Sequence, residues 1–214
     1  MKNIKNQLHR AFEFVNNGYL KQAEILYLEC LDEIDDQQSH FYKQAIHGLG
    51  LVKSELNQFK EAYQLYTEVL HITRNDKDVQ GEAVAYHQLG MVERSSENFK
   101  KALYFFAKEY EIYDTMFPKF HLGFAANLYE RGKTYLLQNK LKEAKNMMEV
   151  SLNHGDQTED VIVVGYARRD LGYIFQQLGE KQKAMTHYTY ALDAFQKADD
   201  SQTINDIEKK IANL

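Results

Sequence analysis

Apolar residues recur at helical spacing along almost the whole chain. In the middle of the chain Ala85, Leu89 and Val92 share one helical face, and Leu103, Phe106, Tyr110 and Tyr113 share another. The polar stretch Ser95 to Asn98 lies between them and reads as one helix stopping and the next starting. Equivalent short breaks stand at Asn16-Asn17-Gly18, Asn57-Gln58, Gln138-Asn139-Lys140 and Gly179-Glu180. Longer polar connections run over Asp35 to Gln38, Asn75 to Asp78 and His154 to Asp160, and Pro118 sits in a further one. The pattern predicts five antiparallel helix pairs, at about 3–17 with 20–36, 39–56 with 59–75, 79–96 with 99–116, 120–138 with 141–154, and 160–178 with 181–198. A last stripe, Ile204, Ile207, Ile211 and Leu214, opposes Asp206, Lys209 and Lys210 and predicts a capping helix over about 202–213.

A second pattern lies on top of the first. A small residue is followed twelve positions later by alanine and four positions after that by a bulky side chain. The five copies are Ala11…Ala23…Tyr27, Gly50…Ala62…Tyr66, Gly90…Ala102…Phe106, Gly132…Ala144…Met148 and Gly172…Ala184…Tyr188. A fixed period of 20–50 residues marks a stacked array in which each unit touches its neighbours. The turn brings the small residue and the alanine face to face, and a branched side chain there would overpack at a cost of about 1–3 kcal/mol. The bulky residue, one helical turn beyond the alanine, is expected to fill the gap between its own hairpin and the next. The predicted fold is all-α: a right-handed α-solenoid of five helix-turn-helix hairpins with a C-terminal capping helix, forming a single array over 1–214.

Composition agrees with a folded helical chain. The hydrophobic fraction is 44%, there is one proline and no tryptophan, and the aromatics are 15 Tyr and 12 Phe. Near absence of proline permits long helices, and tyrosine suits surfaces that are half packed and half wet. The formal net charge of −5, with both signs mixed, argues against nucleic acid and against a polybasic membrane contact. No apolar run reaches the length of a membrane span, and the first fifteen residues are too broken by charge for a signal peptide. The lone Cys30 has no internal disulfide partner, and the expected compartment is cytoplasmic.

The segments Leu49-Gly50, Leu89-Gly90 and Leu171-Gly172, with Tyr135 and Phe175 three residues past their glycines and the Ala-x-x-x-Tyr/Phe/Met that follows, resemble the tetratricopeptide repeat. The resemblance spans residues 4–198. It departs at the family's usual tryptophan, replaced here by Ile46, Tyr86, Leu128 and Arg168, and at the closing proline, which every unit lacks. The period of 39–42 residues also exceeds the usual ~34. Long units of this kind resemble those of kinesin light chains, cell-polarity adaptors and bacterial peptide-pheromone receptors.

The resemblance implies a superhelix whose concave wall, lined by the first helix of each unit, binds peptides. The family's inward positions fall on His47, Ser54, His87, Gln88, Met91, Arg94, Tyr129, Glu130, Lys133, Arg169, Asp170, Tyr173 and Gln176. The family's lysine/asparagine clamp for chaperone C-termini is not reproduced, since Leu8 and Phe12 stand at the matching places. Chemistry finds no foothold. Gly48 to Ser54 lacks the glycine that a phosphate loop needs before its lysine and lies within a predicted helix. The eight histidines include no His-x-x-x-His pair, although His47 and His87 hold equivalent positions and could approach one another. Arg168-Arg169-Asp170 reads as a solvated charge cluster, and no nucleophile has a placed base.

The expected function is a non-catalytic adaptor, without cofactor or metal, whose partner is another protein or a short peptide. The alternative is a regulatory receptor for a short signalling peptide. Because the repeats begin near residue 4, such a receptor is expected to lack a DNA-binding or effector domain of its own. A homo-oligomer formed through an apolar outer or terminal face is a further option.

Overall fold

One kind of turn closes all five hairpins. In the computed structural model, which describes residues 2–214, each break within a hairpin passes through one residue in the left-handed region. These are Gly18 (φ 75°), Asn57 (58°), Glu97 (61°), Asn139 (56°) and Gly179 (76°). The next amide then donates back five residues. Tyr19 reaches the Phe14 carbonyl (2.8 Å), Gln58 reaches Lys53 (2.8 Å), Asn98 reaches Glu93 (2.8 Å), Lys140 reaches Tyr135 (3.0 Å) and Glu180 reaches Phe175 (2.9 Å). This bond closes a Schellman motif, satisfying carbonyls that the ending helix leaves open.

The turns join α1 (Lys2–Asn16) to α2 (Leu20–Glu33), α3 (His40–Glu55) to α4 (Phe59–Asn75), and α5 (Val79–Ser95) to α6 (Phe99–Met116). They likewise join α7 (His121–Leu137) to α8 (Leu141–Gly155) and α9 (Val161–Gln177) to α10 (Lys181–Lys197), and α11 (Ser201–Ala212) follows. The described residues contain no strand. The fold is the predicted helical repeat of five hairpins and a terminal helix. One helix stops earlier than its pattern predicts: α2 ends at Glu33 because Ile34 turns extended (φ −95°, ψ 104°). Beyond it Asp36 accepts the amides of Gln38 on its side chain (2.9 Å) and of Ser39 on its carbonyl (3.0 Å), a local alternative to helix.

The repeating signature is explained by what fills each hairpin. Ala23, Ala62, Ala102, Ala144 and Ala184 are all completely buried. A Cβ added at Gly50 would lie 2.9 Å from the Tyr66 ring, at Gly90 2.5 Å from Phe106, at Gly132 2.9 Å from Met148, and at Gly172 2.6 Å from Tyr188. The glycine therefore clears space chiefly for the bulky residue of its own hairpin, and only at Gly132 is the facing alanine among the nearest atoms. The bulky residue thus lies against the first helix of its own hairpin. Tyr27 also lies against the next hairpin, as expected, with its ring on Gly48.

The described residues gather into two compact units, the first ending at Glu109 and the second running Tyr110–Leu214. In the first, Leu8, Ala11, Tyr27, Cys30, Leu49 and Val52 form a core. In the second, the core runs from Tyr129 through Leu171, Tyr188 and Phe195 to Ile207 of α11, which is fully buried with Ile204, Ile211 and Leu214 packed around it. The terminal helix thus covers the apolar end of its unit, and Asp200 starts it by accepting the Thr203 amide at 3.0 Å.

Candidate functional site

Within each unit the first helices of the hairpins present equivalent positions, counted from the repeat glycine. In the first unit, His47 and His87 each stand three residues before it. The His47 ring lies edge-on to Tyr66 at 5.6 Å, and the His87 ring edge-on to Phe106 at 5.9 Å. Each histidine is thus placed by the bulky residue of its own hairpin. The His87 Nδ1 also lies 3.0 Å from Glu109, whose carboxylate is almost wholly buried. The Nε2 of His47 is buried without a partner among the described residues, and burial lowers the basicity of the ring. Gln88 and Met91 are half-buried, and buried Arg94 donates toward the Met91 sulfur at 3.2 Å. Ser54 is half-buried near the end of α3.

Two adjoining cavities open on this unit. One, of about 460 Å³, is lined by His40, Lys43, Gln44 and His47 of α3, Val69 and Thr73 of α4, and Gln80, Gly81 and Val84 of α5, with Asp78 at its edge. The other, of about 700 Å³, is lined by Lys5, Asn6, His9 and Phe12 of α1 and His40, Phe41 and Gln44 of α3. They share His40 and Gln44, so one groove crosses three successive first helices. Asp78 caps α5 by accepting the Gly81 amide (2.9 Å) and pairs with Lys43 (3.0 Å). Those two contacts, the amide first, hold its carboxyl below the usual range despite burial. Phe12 and Val84 remain substantially exposed at the two ends of the groove.

Sequence reasoning missed Phe12, His40, Gln44 and Val84. For Phe12, Gln44 and Val84 the signal was available in the register. Lys5, Gln44 and Val84 each stand six residues before the small residue of their hairpin, and Phe12 stands one after it, as Met91 does. The first hairpin carries Ala11 where the others carry glycine, so its inward row is harder to extend from the family pattern.

The second unit is arranged differently. The Tyr129 hydroxyl donates to Asp170 Oδ2 (3.1 Å), and Arg169 Nε donates to Asp170 Oδ1 (2.7 Å). A second Arg169 nitrogen reaches the Tyr129 oxygen at 3.4 Å, and its guanidinium lies 4.9 Å from the Tyr166 ring centre. Burial, reinforced by the Asp170 charge, drives the Tyr129 hydroxyl well above its ordinary pKa. Burial works against the Arg169 charge, but Asp170 outweighs it and the guanidinium stays charged. Lys133 Nζ lies 5.8 Å from the Tyr129 ring centre, and Glu130 is half-buried beside these residues in the sequence. Tyr173 is 38% exposed, with Lys210 of α11 at 5.9 Å, and Gln176 accepts the Tyr188 hydroxyl at 2.9 Å. Tyr129, Arg169 and Asp170 therefore form a knot across α7 and α9 rather than the solvated cluster expected of Arg168 to Asp170.

The segment that resembles a phosphate loop has a structural account. Gly48 to Ser54 lies inside α3, where its amides belong to the helix, and Lys53 is held by Glu24 at 2.6 Å. Among the described residues no group of three or more His, Cys, Asp or Glu side chains is placed to hold a metal ion. Among them too, no helix is long and apolar enough to cross a membrane.

Residues 42–115 match the tetratricopeptide repeat. Those residues carry tetratricopeptide repeats. A curated relative, tetratricopeptide repeat protein 29 of Trypanosoma brucei brucei, is 26% identical over 150 residues. That alignment takes in 66% of this chain, which spans only 29% of the relative's length. Among solved structures, the array resembles a Rap protein complexed with Competence and Sporulation Factor, at TM-score 0.81 and 14% identity over 94% of this chain and 56% of that one. It also resembles kinesin-light-chain-like repeats from Podosopora anserina, at TM-score 0.71 and 16% identity over 93% of this chain and 97% of that one. At these identities the likeness is one of fold alone.

Proposed function

We propose that this protein is a non-catalytic adaptor that holds a segment of a partner protein against the first helices of its repeats. The observation that carries the reading is the groove of the first unit, two adjoining cavities crossing α1, α3 and α5 and sharing His40 and Gln44. Its lining mixes amides that can bond a peptide backbone with apolar spots at Phe12 and Val84, the composition expected of a peptide site. The tetratricopeptide fold supports an interaction role, but a fold alone does not name a partner.

A peptide array probed with the full chain tests it. The expected result is a set of retained peptides whose binding is lost in Val84→Arg, a change at an exposed position. Retention of no peptide, or retention indifferent to Val84→Arg, contradicts the groove. A second reading, a receptor for a short signalling peptide, is favoured by the likeness to the Rap protein solved with Competence and Sporulation Factor. Calorimetry separates the two: a receptor binds a free short peptide tightly, whereas an adaptor needs the folded partner for full affinity.

A further inference from the structure

The fourth hairpin carries two imidazoles at its open end, where three of the others carry apolar or small residues. His121 begins α7, eleven residues before Gly132, and His154 stands in the last turn of α8, ten residues after Ala144. The same two places hold Ser39 and Ile72 in the second hairpin, Val79 and Ile112 in the third, and Val161 and Ala194 in the fifth. Packing of the repeat therefore does not call for a histidine pair. The two Nδ1 atoms lie 3.2 Å apart, with ring centres 5.4 Å apart and planes tilted by 34°. Buried Phe124 stacks on His154 at 5.0 Å. Tyr113 packs edge-on to Phe124 at 5.9 Å and to Phe120, the residue before His121, at 5.3 Å. This aromatic wall positions the pair, and both histidines are only half-buried, so solvent reaches them.

Two neutral rings at this spacing can share one hydrogen bond, the Nδ1–H of one donating to the Nδ1 of the other. The spacing also suits a metal ion. Two nitrogens held at ~2.0–2.1 Å on a tetrahedral ion stand about 3.3–3.4 Å apart. A small turn of each ring aims both lone pairs at one ion. We infer that His121 and His154 form a two-imidazole site for a divalent transition metal of the zinc type, bound through both Nδ1 atoms. The ring that donated through Nδ1 then carries its proton on Nε2. No group of three or more His, Cys, Asp or Glu side chains gathers among the described residues, so water completes the shell of the ion. Imidazole suits zinc, copper and nickel, whereas magnesium takes oxygen ligands, so the site discriminates between them. The bound ion ties the start of α7 to the end of α8. The histidines are 33 residues apart, so a search for close histidine spacing passes over them.

The test is calorimetric titration of the full chain with zinc chloride in a buffer free of chelator, with magnesium chloride as the control. Zinc is expected to bind and magnesium is not. His121→Gln and His154→Gln should each weaken zinc at least about ten-fold, since losing even an outer partner of a metal ligand costs 10–100-fold. His9→Gln, on α1 beside Glu13, should leave the affinity unchanged. Circular dichroism should show the variants folded, because both positions are half-buried at helix ends. A second measurement needs no variant: one equivalent of copper(II) should give an electron paramagnetic resonance spectrum with two imidazole nitrogens bound. Absence of zinc binding overturns the inference, as does equal binding of magnesium or an affinity that survives both substitutions. One imidazole or none in the copper spectrum overturns it even where a variant fails to fold.

Discussion

The first-helix rows of the two units use their polar side chains to opposite ends. In the second unit the polar side chains close on each other: Tyr129 and Arg169 both spend their hydrogen bonds on Asp170. In the first unit the corresponding rows leave cavities, and the buried Nε2 of His47 has no partner among the described residues. A self-satisfied polar cluster fixes how α7 and α9 pack, since breaking it leaves a charge buried. An open row leaves hydrogen-bonding groups for something else. Polar residues on a first helix are therefore not by themselves evidence of a binding wall; what matters is whether their partners come from within.

The largest effects should come from the knot. Asp170→Ala strands the Arg169 guanidinium and should cost about 3 kcal/mol, read as a shift of the denaturation midpoint. His40→Ala, an exposed change in the groove, should stay within about 0.5 kcal/mol. Equal costs would erase the contrast between the two faces. Next, Gly90→Val drives a side chain into Phe106 and should cost about 1–3 kcal/mol, and Gly172→Val should do the same against Tyr188. If both are tolerated, the glycines are not spacers for the rings that cover them.

A smaller effect is pH-dependent. Burial, reinforced by the Arg168 charge, pushes His187 down to about 4. Its ring stacks on Phe175 at 5.1 Å, and its Nδ1 is buried without a partner among the described residues. The unfolded chain then binds the proton more readily than the folded one, so stability rises with pH in this window. The contribution is complete above about pH 6.5 and fades as pH falls toward 4, by about 1–2 kcal/mol once partial exposure is allowed for. His187→Phe keeps the stacking and should flatten the acid limb of the stability curve. The smallest effect is at Glu97, the one hairpin turn whose left-handed residue is neither glycine nor asparagine. Glu97→Gly should gain about 0.5–1 kcal/mol in thermal unfolding.

The sequence-level reading reached the hairpins because each repeat repeats the same steric demand: an alanine with no space around it and a small residue beneath a ring. It did not reach the uniformity of the turns. Nothing in Glu97 favours the left-handed region that Asn57 and Gly18 adopt more readily, and the hairpin geometry imposes it. The site was legible in its rows and not in its pairings. Tyr129 and Asp170 are 41 residues apart, and their hydrogen bond exists only once α7 and α9 are neighbours. His40 escaped notice because it is the first residue of α3, ahead of the positions that the glycine register marks.

The division of labour between the two units is tested most directly by hydrogen exchange of the full chain with and without a saturating peptide retained on the array. The account predicts added protection in α1, α3 and the start of α5, with α7 and α9 unchanged. Protection centred on Tyr129, Lys133 and Tyr173, with the first unit unaffected, would contradict it.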